Sequence, residues 1–550
     1  MRSSIFKQAA FILGFFANLG LISTAYSAPR IPTVLTGQSL IYCTSPSGFS
    51  LNPQRADAGS NMNVVTEQIY DKLFDFDPNT NQLKPALVKH FEVSDDGLTI
   101  SLYLRPKVAF HTTTWFTPTR YLNAEDVIFS LNRMMGRNLE LPELSAEQKE
   151  SLSRYQINNQ IAERTHFPYF ESIRLSEHIV SLFSPSDNVV KIQLSEPDHR
   201  FLFHLASQYA VILSKEYALQ LNADENLVQL NHLPIGTGVY QLDSYTENQQ
   251  VRLSPNPNYW RAKAKMQRVI VDFSTTATGR MAKFLNHECD ISAFPEPSQL
   301  AVVKKAQIIE NEGANLAFLA FNIKKPLMQN VAVRHALSQQ IDRQRIAKTL
   351  FYGTAQVAHS VLPKTLLPAK DNSHHLIREN LPKIDRLQLW VVDEKRIYNP
   401  HPLKMAELIR SDLAKVDIEL EIKQVSRRFL AQRLAEGTED YDLILGGWLA
   451  NNFDPNNFLA PLLSCKAQPW ITNLSNWCDP DFDQQLAAAK ASPNKSEQQR
   501  YYQDIEEYIA KQRPILPLVN VKRTLLVNDK LDKVSVSHFG QVPLSQIEFK

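Results

Sequence analysis

The sequence predicts a mixed α/β protein that is built from more than one lobe. The chain has 550 residues, which corresponds to roughly three folding units of ~150 residues each. Short apolar runs alternate with amphipathic stretches, a pattern typical of strands interleaved with helices. Two extended, proline-bounded stretches, residues 289–297 and 514–521, have the character of crossings between lobes. Because they lie far apart in the chain, one lobe is expected to contain both chain ends.

The first 28 residues have the order of a secretory signal peptide. Arg2 and Lys7 supply positive charge, residues 9–22 are almost wholly apolar or small, and residues 23–28 offer small side chains for cleavage. The apolar run is short for a membrane anchor. No cysteine follows it closely, so lipid attachment is not expected there. We therefore expect an exported, soluble mature chain.

Removal of this segment leaves the mature chain without net charge. The full sequence has 59 Lys and Arg against 57 Asp and Glu. Arg2 and Lys7 leave with the segment, which contains no acidic residue, so the basic residues fall from 59 to 57. A general nucleic-acid binder normally has a basic excess, so no nucleic-acid partner is expected. We also expect a monomer.

Periodicity and capping residues assign the individual elements. Strands are predicted at residues 38–43, 98–104 and 442–448, and helices at residues 63–74, 331–350, 402–416 and 497–511. Asn123 precedes Ala-Glu-Asp and is predicted to cap a further helix, because a cap followed by acidic residues suits a helix start. The sequence Gly236-Thr237-Gly238 is interpreted as a turn.

The mature chain has four cysteines, Cys43, Cys289, Cys465 and Cys478. An even number in an exported protein predicts disulfides, for which three pairings are possible. The short gap between Cys465 and Cys478 favours a local bridge, which leaves Cys43 with Cys289. No C-x-x-C motif occurs, which argues against a redox or zinc role.

The common catalytic motifs are absent from the sequence. It contains no H-E-x-x-H, G-x-S-x-G, Walker loop or G-x-G-x-x-G. The pair His374-His375 follows a polar, turn-like stretch and is interpreted as a solvated loop in preference to a metal or haem site. We expect no enzymatic activity, no cofactor and no metal. A secreted hydrolase is the alternative among the enzymes.

Several short motifs follow one another along the chain in the order that a known family has, and they indicate a resemblance to it. These motifs include Tyr42-Cys43, Asn52-Pro53-Gln54, Ile69-Tyr70-Asp71-Lys72-Leu73, Asn123-Ala124-Glu125-Asp126-Val127, Asn258-Tyr259-Trp260, Val333-Arg334-His335-Ala336-Leu337, Gly447-Trp448 and Asp454-Pro455. Together they resemble family 5 of the extracellular solute-binding proteins, which serve peptide and dipeptide ABC importers. The resemblance covers nearly the whole mature chain. Its cysteine positions match the dipeptide branch, which supports the pairing above.

The resemblance implies an α/β, two-lobed periplasmic-binding-protein fold of the oligopeptide/dipeptide-binding type, with two hinge crossings and ligand between the lobes. The expected boundaries are residues 29–290 for lobe I, with an inserted subdomain at about 65–200, residues 291–521 for lobe II, and residues 522–550 for the return to lobe I. The expected partners are an inner-membrane ABC permease and a peptide ligand, cationic antimicrobial peptides included. Haem is the alternative ligand, since related binders carry it.

The resemblance also implies ligand contacts. Ser60, Asn61 and Met62 match a loop that touches ligand in the family. Arg396 matches an arginine that pairs with the ligand carboxylate in the dipeptide branch. A guanidinium fork suits a carboxylate, although a surface salt bridge is the alternative for Arg396.

Two tryptophans are candidate walls of the cleft. Trp390 ends a candidate strand, and Trp448 follows residues 442–447, the strand past which the family lines its cleft. Aromatic walls suit a site that accepts varied side chains. Packing in the core is the alternative for both residues.

The chain departs from the family at Asn451. Peptide binders of the family have an Asp three residues after the Trp of this strand, here Trp448, and its carboxylate pairs with the α-ammonium of the ligand. The amide of Asn451 accepts a hydrogen bond but brings no charge. Asp454 is a candidate substitute, with a structural role before Pro455 as the alternative. We therefore predict weak binding of free di- and tripeptides.

Overall fold

The computed structural model describes residues 39–46, 49–55, 63–77, 80–137, 166–368, 381–467 and 472–550. The predicted signal peptide, the loop that contains Ser60, Asn61 and Met62, and the pair His374-His375 lie outside the described residues. No helix in the described part combines the length and the apolar character that a membrane crossing needs.

The first of the two main sheets draws its strands from both ends of the chain. In spatial order they are Ile308–Asn311, Arg523–Val527, Ile291–Ala293, Ser39–Thr44, Arg268–Phe273, Gln250–Pro255 and Tyr240–Thr246. Ser39–Thr44 pairs in parallel with Arg268–Phe273, and Arg523–Val527 runs antiparallel to Ile291–Ala293. The first lobe thus contains segments from both ends of the described chain. The stretch predicted as the first crossing, residues 289–297, instead contains the strand Ile291–Ala293 of this sheet.

The second main sheet forms the centre of the other lobe. Its strands, in spatial order, are Ala355–Val357, Ile515–Val521, Asn315–Phe321, Leu443–Leu449, Arg386–Val392 and Glu419–Val425. Successive side chains of a strand point to opposite faces, so Phe318 packs in one core and Leu319 in another. Both faces are covered, which explains why Asn315–Phe321 is a continuous buried run.

A third, smaller sheet and the helices complete the lobes. The third sheet contains Val88–Val93, Thr99–Leu104, Val189–Leu194 and Ile179–Ser186. Two-stranded pairs join Phe74–Phe76 to Leu83–Pro85 and Leu531–Asp532 to Glu548–Phe549. The helices are Asn63–Ile69, Ala124–Met134, Pro168–Ser172, Leu175–His178, Phe201–His204, Lys215–Ala223, Ala277–Leu285, Pro326–Gln329, Val331–Gln340, Arg343–Phe351, Pro402–Leu413, Arg427–Glu436, Asn456–Leu463, Pro480–Ala491 and Lys495–Gln512.

The chain passes between the main sheets at two adjacent places. Residues 312–314 lead from the first sheet to the second, and Lys522 leads back. Asn315 links them, because its Nδ2 donates to the Val521 carbonyl at 2.7 Å and its Oδ1 accepts from the Val521 N–H at 2.9 Å. A Cβ on Gly313 would lie 2.0 Å from the same carbonyl. The two crossings therefore lie side by side as one hinge.

Strand pairing places one lobe boundary later in the chain than the sequence predicted. The sequence predicted that lobe II begins at residue 291, yet strands Ile291–Ala293 and Ile308–Asn311 both hydrogen bond within the first sheet. We therefore propose residue 312 as the start of lobe II. The return to lobe I at residue 522 and the limits of the inserted subdomain stay predictions.

Two predicted helices end earlier in the structure than the sequence indicated. The helix expected at residues 331–350 is interrupted at Asp342, whose side chain accepts the N–H of Arg345 at 2.8 Å and caps a new helix. The helix expected at residues 63–74 ends at Ile69, whose carbonyl accepts the N–H of Gly238 at 2.9 Å. A Cβ on Gly238 would lie 2.4 Å from a backbone oxygen of the same helix.

The capping and disulfide predictions are confirmed. Asn123 Oδ1 accepts the N–H of Glu125 at 3.0 Å, while Asp126 Oδ2 accepts the N–H of Asn123 at 3.0 Å. The disulfides join Cys43 to Cys289 and Cys465 to Cys478, with Cα atoms 5.9 and 4.3 Å apart. The first bridge ties the N-terminal strand to the chain just before Ile291–Ala293 in the same sheet.

Candidate ligand site between the lobes

A cavity of about 840 Å³ lies beside the crossings and has walls from both lobes. Its lining includes Tyr42, Arg280 and Glu296 from the first lobe, Asp393, Glu394, Arg396 and Arg427 from the second, and Lys522, Arg523 and Gly540 from the C-terminal segment. Pockets of ~300–1,000 Å³ enclose small ligands in proteins. This space is therefore the candidate ligand site, and we call it the larger cavity.

A smaller cavity of about 130 Å³ adjoins it within the second lobe. Arg396 and Arg427 line both spaces. Gly447 forms part of the wall, where a Cβ would lie 2.2 Å from the ring of Tyr398. The glycine therefore allows the tyrosine ring to lie directly against the strand.

Arg396 stands at the junction of the two cavities. Its N–H donates to the Asn399 carbonyl at 3.0 Å, and the Asn399 N–H donates back at 2.9 Å, which holds the turn that carries it. Its guanidinium donates to the Glu394 carboxylate, which also lies 3.7 Å from Arg427. The side chain is 18% exposed. This position is compatible with the predicted ligand contact.

The two candidate tryptophans have different surroundings. Trp390 is fully buried, its Nε1 donates to Gln388 Oε1 at 2.7 Å, and its ring lies 5.6 Å from that of Phe429 and 5.3 Å from that of Tyr441. These contacts favour the packing alternative for Trp390. Trp448 is half-buried and lines the smaller cavity, as expected of a cleft wall.

Asn451 lies just past the strand Leu443–Leu449 and is 6% exposed. Its Oδ1 accepts a hydrogen bond from Nδ2 of Asn457 at 3.1 Å. It is not among the described residues that line either cavity. Its amide oxygen is therefore engaged within its own lobe, and contact with a ligand ammonium stays a prediction.

Asp454 joins the two lobes. Its carboxylate is 1% exposed and lies 3.2 Å from Nε of Arg200 in the first lobe, and the Tyr502 hydroxyl donates to it at 3.5 Å. Burial raises the pKa of this carboxyl to about 6; Arg200 opposes the rise and Asp198 adds to it. The ion pair favours the structural role for Asp454.

The surroundings of Asp454 form a continuous contact between the lobes. Arg200 also donates through Nη2 to the Phe453 carbonyl at 2.8 Å and through Nη1 to Gln498 Oε1 at 3.2 Å. Lys490 Nζ donates to Glu196 Oε1 at 2.8 Å. We call this surface the lobe contact and define it as residues 196–204 against residues 453–457 and 490–498.

Two buried arginines of the larger cavity were not predicted from the sequence. Arg280 and Arg523 are each 5% exposed and line the cavity. Arg280 shares the helix Ala277–Leu285 with the buried residues Met281 and Phe284. A basic residue beside apolar ones on a helix is the signal that would have identified Arg280, whereas the sequence around Arg523 does not indicate its burial.

Comparison with known proteins agrees with this geometry. Residues 82–470 match the family described as bacterial extracellular solute-binding proteins, family 5 Middle. The chain is 45% identical to the peptide transport periplasmic protein SapA of Haemophilus influenzae, over 95% of each chain. It is 30% identical to heme-binding protein A of the same species, over 88% of this chain and 87% of that one.

A solved structure extends the likeness to the fold. The dipeptide binding protein from Pseudoalteromonas sp. SM9913, in complex with Met-Leu, superimposes with a TM-score of 0.76 at 32% identity. The match covers 93% of this chain and 100% of that one. The two-lobed fold of the oligopeptide/dipeptide-binding type is thereby confirmed, and the chain belongs to the family 5 bacterial extracellular solute-binding proteins.

Proposed function

We propose that this chain is the periplasmic substrate-binding component of an ABC importer and captures peptides between its two lobes. The observation that carries the proposal is the larger cavity, which has walls from both lobes and lies directly at the hinge. The SapA relative is named for peptide transport, and the structural neighbour holds the dipeptide Met-Leu. Both support a peptide as the ligand.

Capture proceeds by closure of the lobes about the hinge. A ligand shifts the equilibrium toward the closed arrangement when it has higher affinity for that arrangement. Asn315 keeps the two crossings together, so the lobes rotate about one axis, and the lobe contact supplies the interactions that form on closure. The closed form then docks on an inner-membrane permease, and no chemical step takes place on the ligand.

The location follows from the N-terminal segment. We propose that residues 1–28 are removed on export and that the mature chain acts in the periplasm as a monomer. Fractionation of cells should recover the chain in periplasmic extracts, with its N-terminus between Tyr26 and Pro29. Retention in the membrane fraction after a high-salt wash would contradict this location.

The ligand can be identified directly. Native mass spectrometry of protein purified from periplasmic extracts should detect a bound peptide, and the same protein, unfolded, stripped and refolded, should bind peptides from a synthetic pool. A sugar or nucleotide in the cavity, together with no binding from the pool, would overturn the proposal.

Haem is the second candidate ligand, favoured by the likeness to heme-binding protein A. A haem absorption band in the purified protein, and displacement of peptides by added haem, would establish it. Hydrolysis of peptide, ester or phosphate substrates that a single substitution abolishes would instead indicate the enzymatic alternative.

A further inference from the structure

The larger cavity has an excess of basic side chains. Among the described residues that line it, the basic ones are Arg280, Lys395, Arg396, Arg427, Lys522 and Arg523, and the acidic ones are Glu296, Asp393 and Glu394. A cleft lined by one sign of charge raises the local concentration of ligands of the opposite sign.

The acidic residues of the wall already have partners. Glu394 accepts from the neighbouring Arg396. Glu296 Oε1 lies 2.6 Å from Nε2 of His401, and Asp393 Oδ2 accepts from Nε2 of Gln424 at 2.5 Å. These carboxylates are therefore engaged with protein groups, which weakens any role for them in pairing with a cationic ligand.

Two buried basic residues of the wall, in contrast, have no carboxylate in hydrogen-bond or salt-bridge contact among the described residues. Arg523 Nε donates to the His538 carbonyl at 3.3 Å, and a Cβ on Gly540 would lie 3.3 Å from its Cζ. Arg280 is bonded to backbone carbonyls only, those of Ala293 at 3.1 Å, Ser274 at 2.8 Å and Phe294 at 3.0 Å. The two positive charges are thus buried with backbone oxygens as their partners.

Strand pairing brings the two arginines to one end of the first sheet. Ala293 pairs with Leu525 in the antiparallel register. Arg280 donates to the Ala293 carbonyl, and Arg523 lies two residues before Leu525 on the adjacent strand. Both side chains line the same cavity.

Burial without a counter-charge is costly for a cation. Burial lowers the pKa of Arg523 to about 10 and also lowers the pKa of Arg280, an effect that the nearby Glu296 carboxylate opposes. Such a cost is recovered when an anion enters the cavity, because a charge-assisted bond in a site that excludes water is stronger than one in solvent.

We propose that the larger cavity binds a peptide with an acidic side chain, and that Arg523, with Arg280 on the wall of the same cavity, binds that side-chain carboxylate. The inference rests on the proposed function and narrows it from peptides in general to acidic peptides. It also departs from the cationic peptides that the sequence resemblance implied. Arg396, at the junction with the smaller cavity, stays the predicted partner of the C-terminal carboxylate of the peptide.

Three matched peptides test the proposal on the wild-type protein. Pentapeptides Ala-Ala-X-Ala-Ala, acetylated and amidated so that their ends carry no charge, differ only in X, which is Glu, Gln or Lys. Calorimetry should find that the Glu peptide binds at least about tenfold more tightly than the Gln peptide, and that the Lys peptide binds most weakly.

Variants then assign the preference to one residue. Arg523→Gln should weaken binding of the Glu peptide about 10- to 100-fold and leave the Gln peptide nearly unchanged. The matched control is Arg513→Gln, since Arg513 is 6% exposed, has its pKa lowered to about 10 by burial, and does not line the described part of the cavity. This control should keep the full preference for Glu.

Each outcome has a definite meaning. Equal binding of the Glu and Gln peptides, or stronger binding of the Lys peptide, overturns the inference and leaves the proposed function intact. A preference for Glu that survives in Arg523→Gln overturns the assignment to Arg523. Failure of these peptides and of a mixed peptide pool to bind overturns the proposed function itself. If Arg523→Gln does not fold, the three peptides on the wild type still decide the ligand class.

Discussion

The lobes meet in two regions with opposite electrostatic character. At the lobe contact, charges are paired across the interface: Arg200 with the buried Asp454, and the buried Lys490 with the half-exposed Glu196. In the larger cavity, Arg280 and Arg523 are each 5% exposed, and their side-chain hydrogen bonds among the described residues go to backbone oxygens.

This difference separates two roles of buried charge. A pair that is complete within the protein stabilises one arrangement of the lobes whether or not ligand is present. A buried charge without a counter-charge adds free energy to the empty protein, and that free energy is regained only when a ligand brings the missing charge. Substitutions at the lobe contact should therefore change stability, whereas substitutions in the cavity should change affinity.

The largest effect is expected at Arg200. Arg200→Met removes the partner of the buried Asp454 carboxylate and the bond to the Phe453 carbonyl. Breaking a buried pair from one side costs about 3–5 kcal/mol. Chemical unfolding should detect this loss, and small-angle scattering should detect a more open average shape.

An exposed ion pair provides the control. Arg410 and Glu407 are 2.5 Å apart, with both side chains 51% exposed, so Arg410→Met should cost less than about 1 kcal/mol. Equal losses for Arg200→Met and Arg410→Met would contradict the distinction between the two regions. The double variant Arg200→Met, Asp454→Asn should recover part of the loss, because no charge is then left unpaired.

A pH dependence of about 3 kcal/mol is expected from Asp454. Its pKa is about 6 in the folded protein against 3.8 as the ordinary value, so the folded state holds the proton more tightly. The contribution to stability is complete below pH 4 and decreases as the pH rises to 6, by roughly 1.4 kcal/mol per pKa unit. The difference in unfolding free energy between Asp454→Asn and the wild type should therefore increase by about 3 kcal/mol from pH 4 to pH 7.

The unfolding free energy must be compared between Asp454→Asn and the wild type, because two neighbouring histidines also change the stability with pH. Burial lowers the pKa of both His178 and His204 to about 4, so they contribute stability that is gained as the pH rises. Their effect opposes that of Asp454 in the wild type but is common to both proteins. A difference curve that is flat from pH 4 to pH 7 would show that Asp454 is ionised throughout.

An effect of about 2 kcal/mol is expected on affinity at Arg396. Arg396→Met should weaken binding of peptides with a free C-terminal carboxylate about 30-fold, because a charge-assisted bond is lost. Amidated versions of the same peptides should be affected little. Calorimetry measures the affinity for both series, and chemical unfolding measures the stability in parallel. A fall in the stability of Arg396→Met without a fall in its affinity would contradict the contrast between the two regions.

The local elements of the fold could be predicted from the sequence, and the pairing of distant strands could not. Alternation identified the strand Thr99–Leu104, and the cap at Asn123 identified a helix start. The break at Asp342 was missed because an Asp also suits the exposed face of a continuous helix. The proposed boundary is residue 312 in place of residue 291, because Ile291–Ala293 pairs within the first sheet. This strand is short, and nothing local indicates which sheet it joins.

The sequence indicated residues of the candidate site only where they have a local signature. Arg396 and Trp448 were selected through motifs and line the cavities, and their contact with ligand stays a prediction. Trp390 belongs to the core, and its position at the end of an apolar strand is equally typical of packing and of a cleft wall. Arg523 was missed because its burial results from contacts with His538 and Gly540, which the sequence around it does not indicate.

The smallest expected effect tests the departure from the family at Asn451. Charge-assisted hydrogen bonds contribute ~1.5–3 kcal/mol net and neutral ones ~0.5–1.5 kcal/mol, so an amide in place of the family's Asp costs about 1–2 kcal/mol in binding a free α-ammonium. Asn451→Asp should therefore bind free dipeptides about tenfold more tightly. The carboxylate can still accept from Asn457, which donates to Asn451 Oδ1 at 3.1 Å, so stability should change little.

Acetylated dipeptides are the matched ligands for this test, because they lack the ammonium and should show no gain. Calorimetry on the wild type and on Asn451→Asp measures both series. Tight binding of free dipeptides by the wild type, unchanged by the substitution, would show that Asn451 only packs against Asn457. In that case the ligand site would be limited to the residues that line the two cavities. Asn451 is not one of them in the part of the chain that the structure describes.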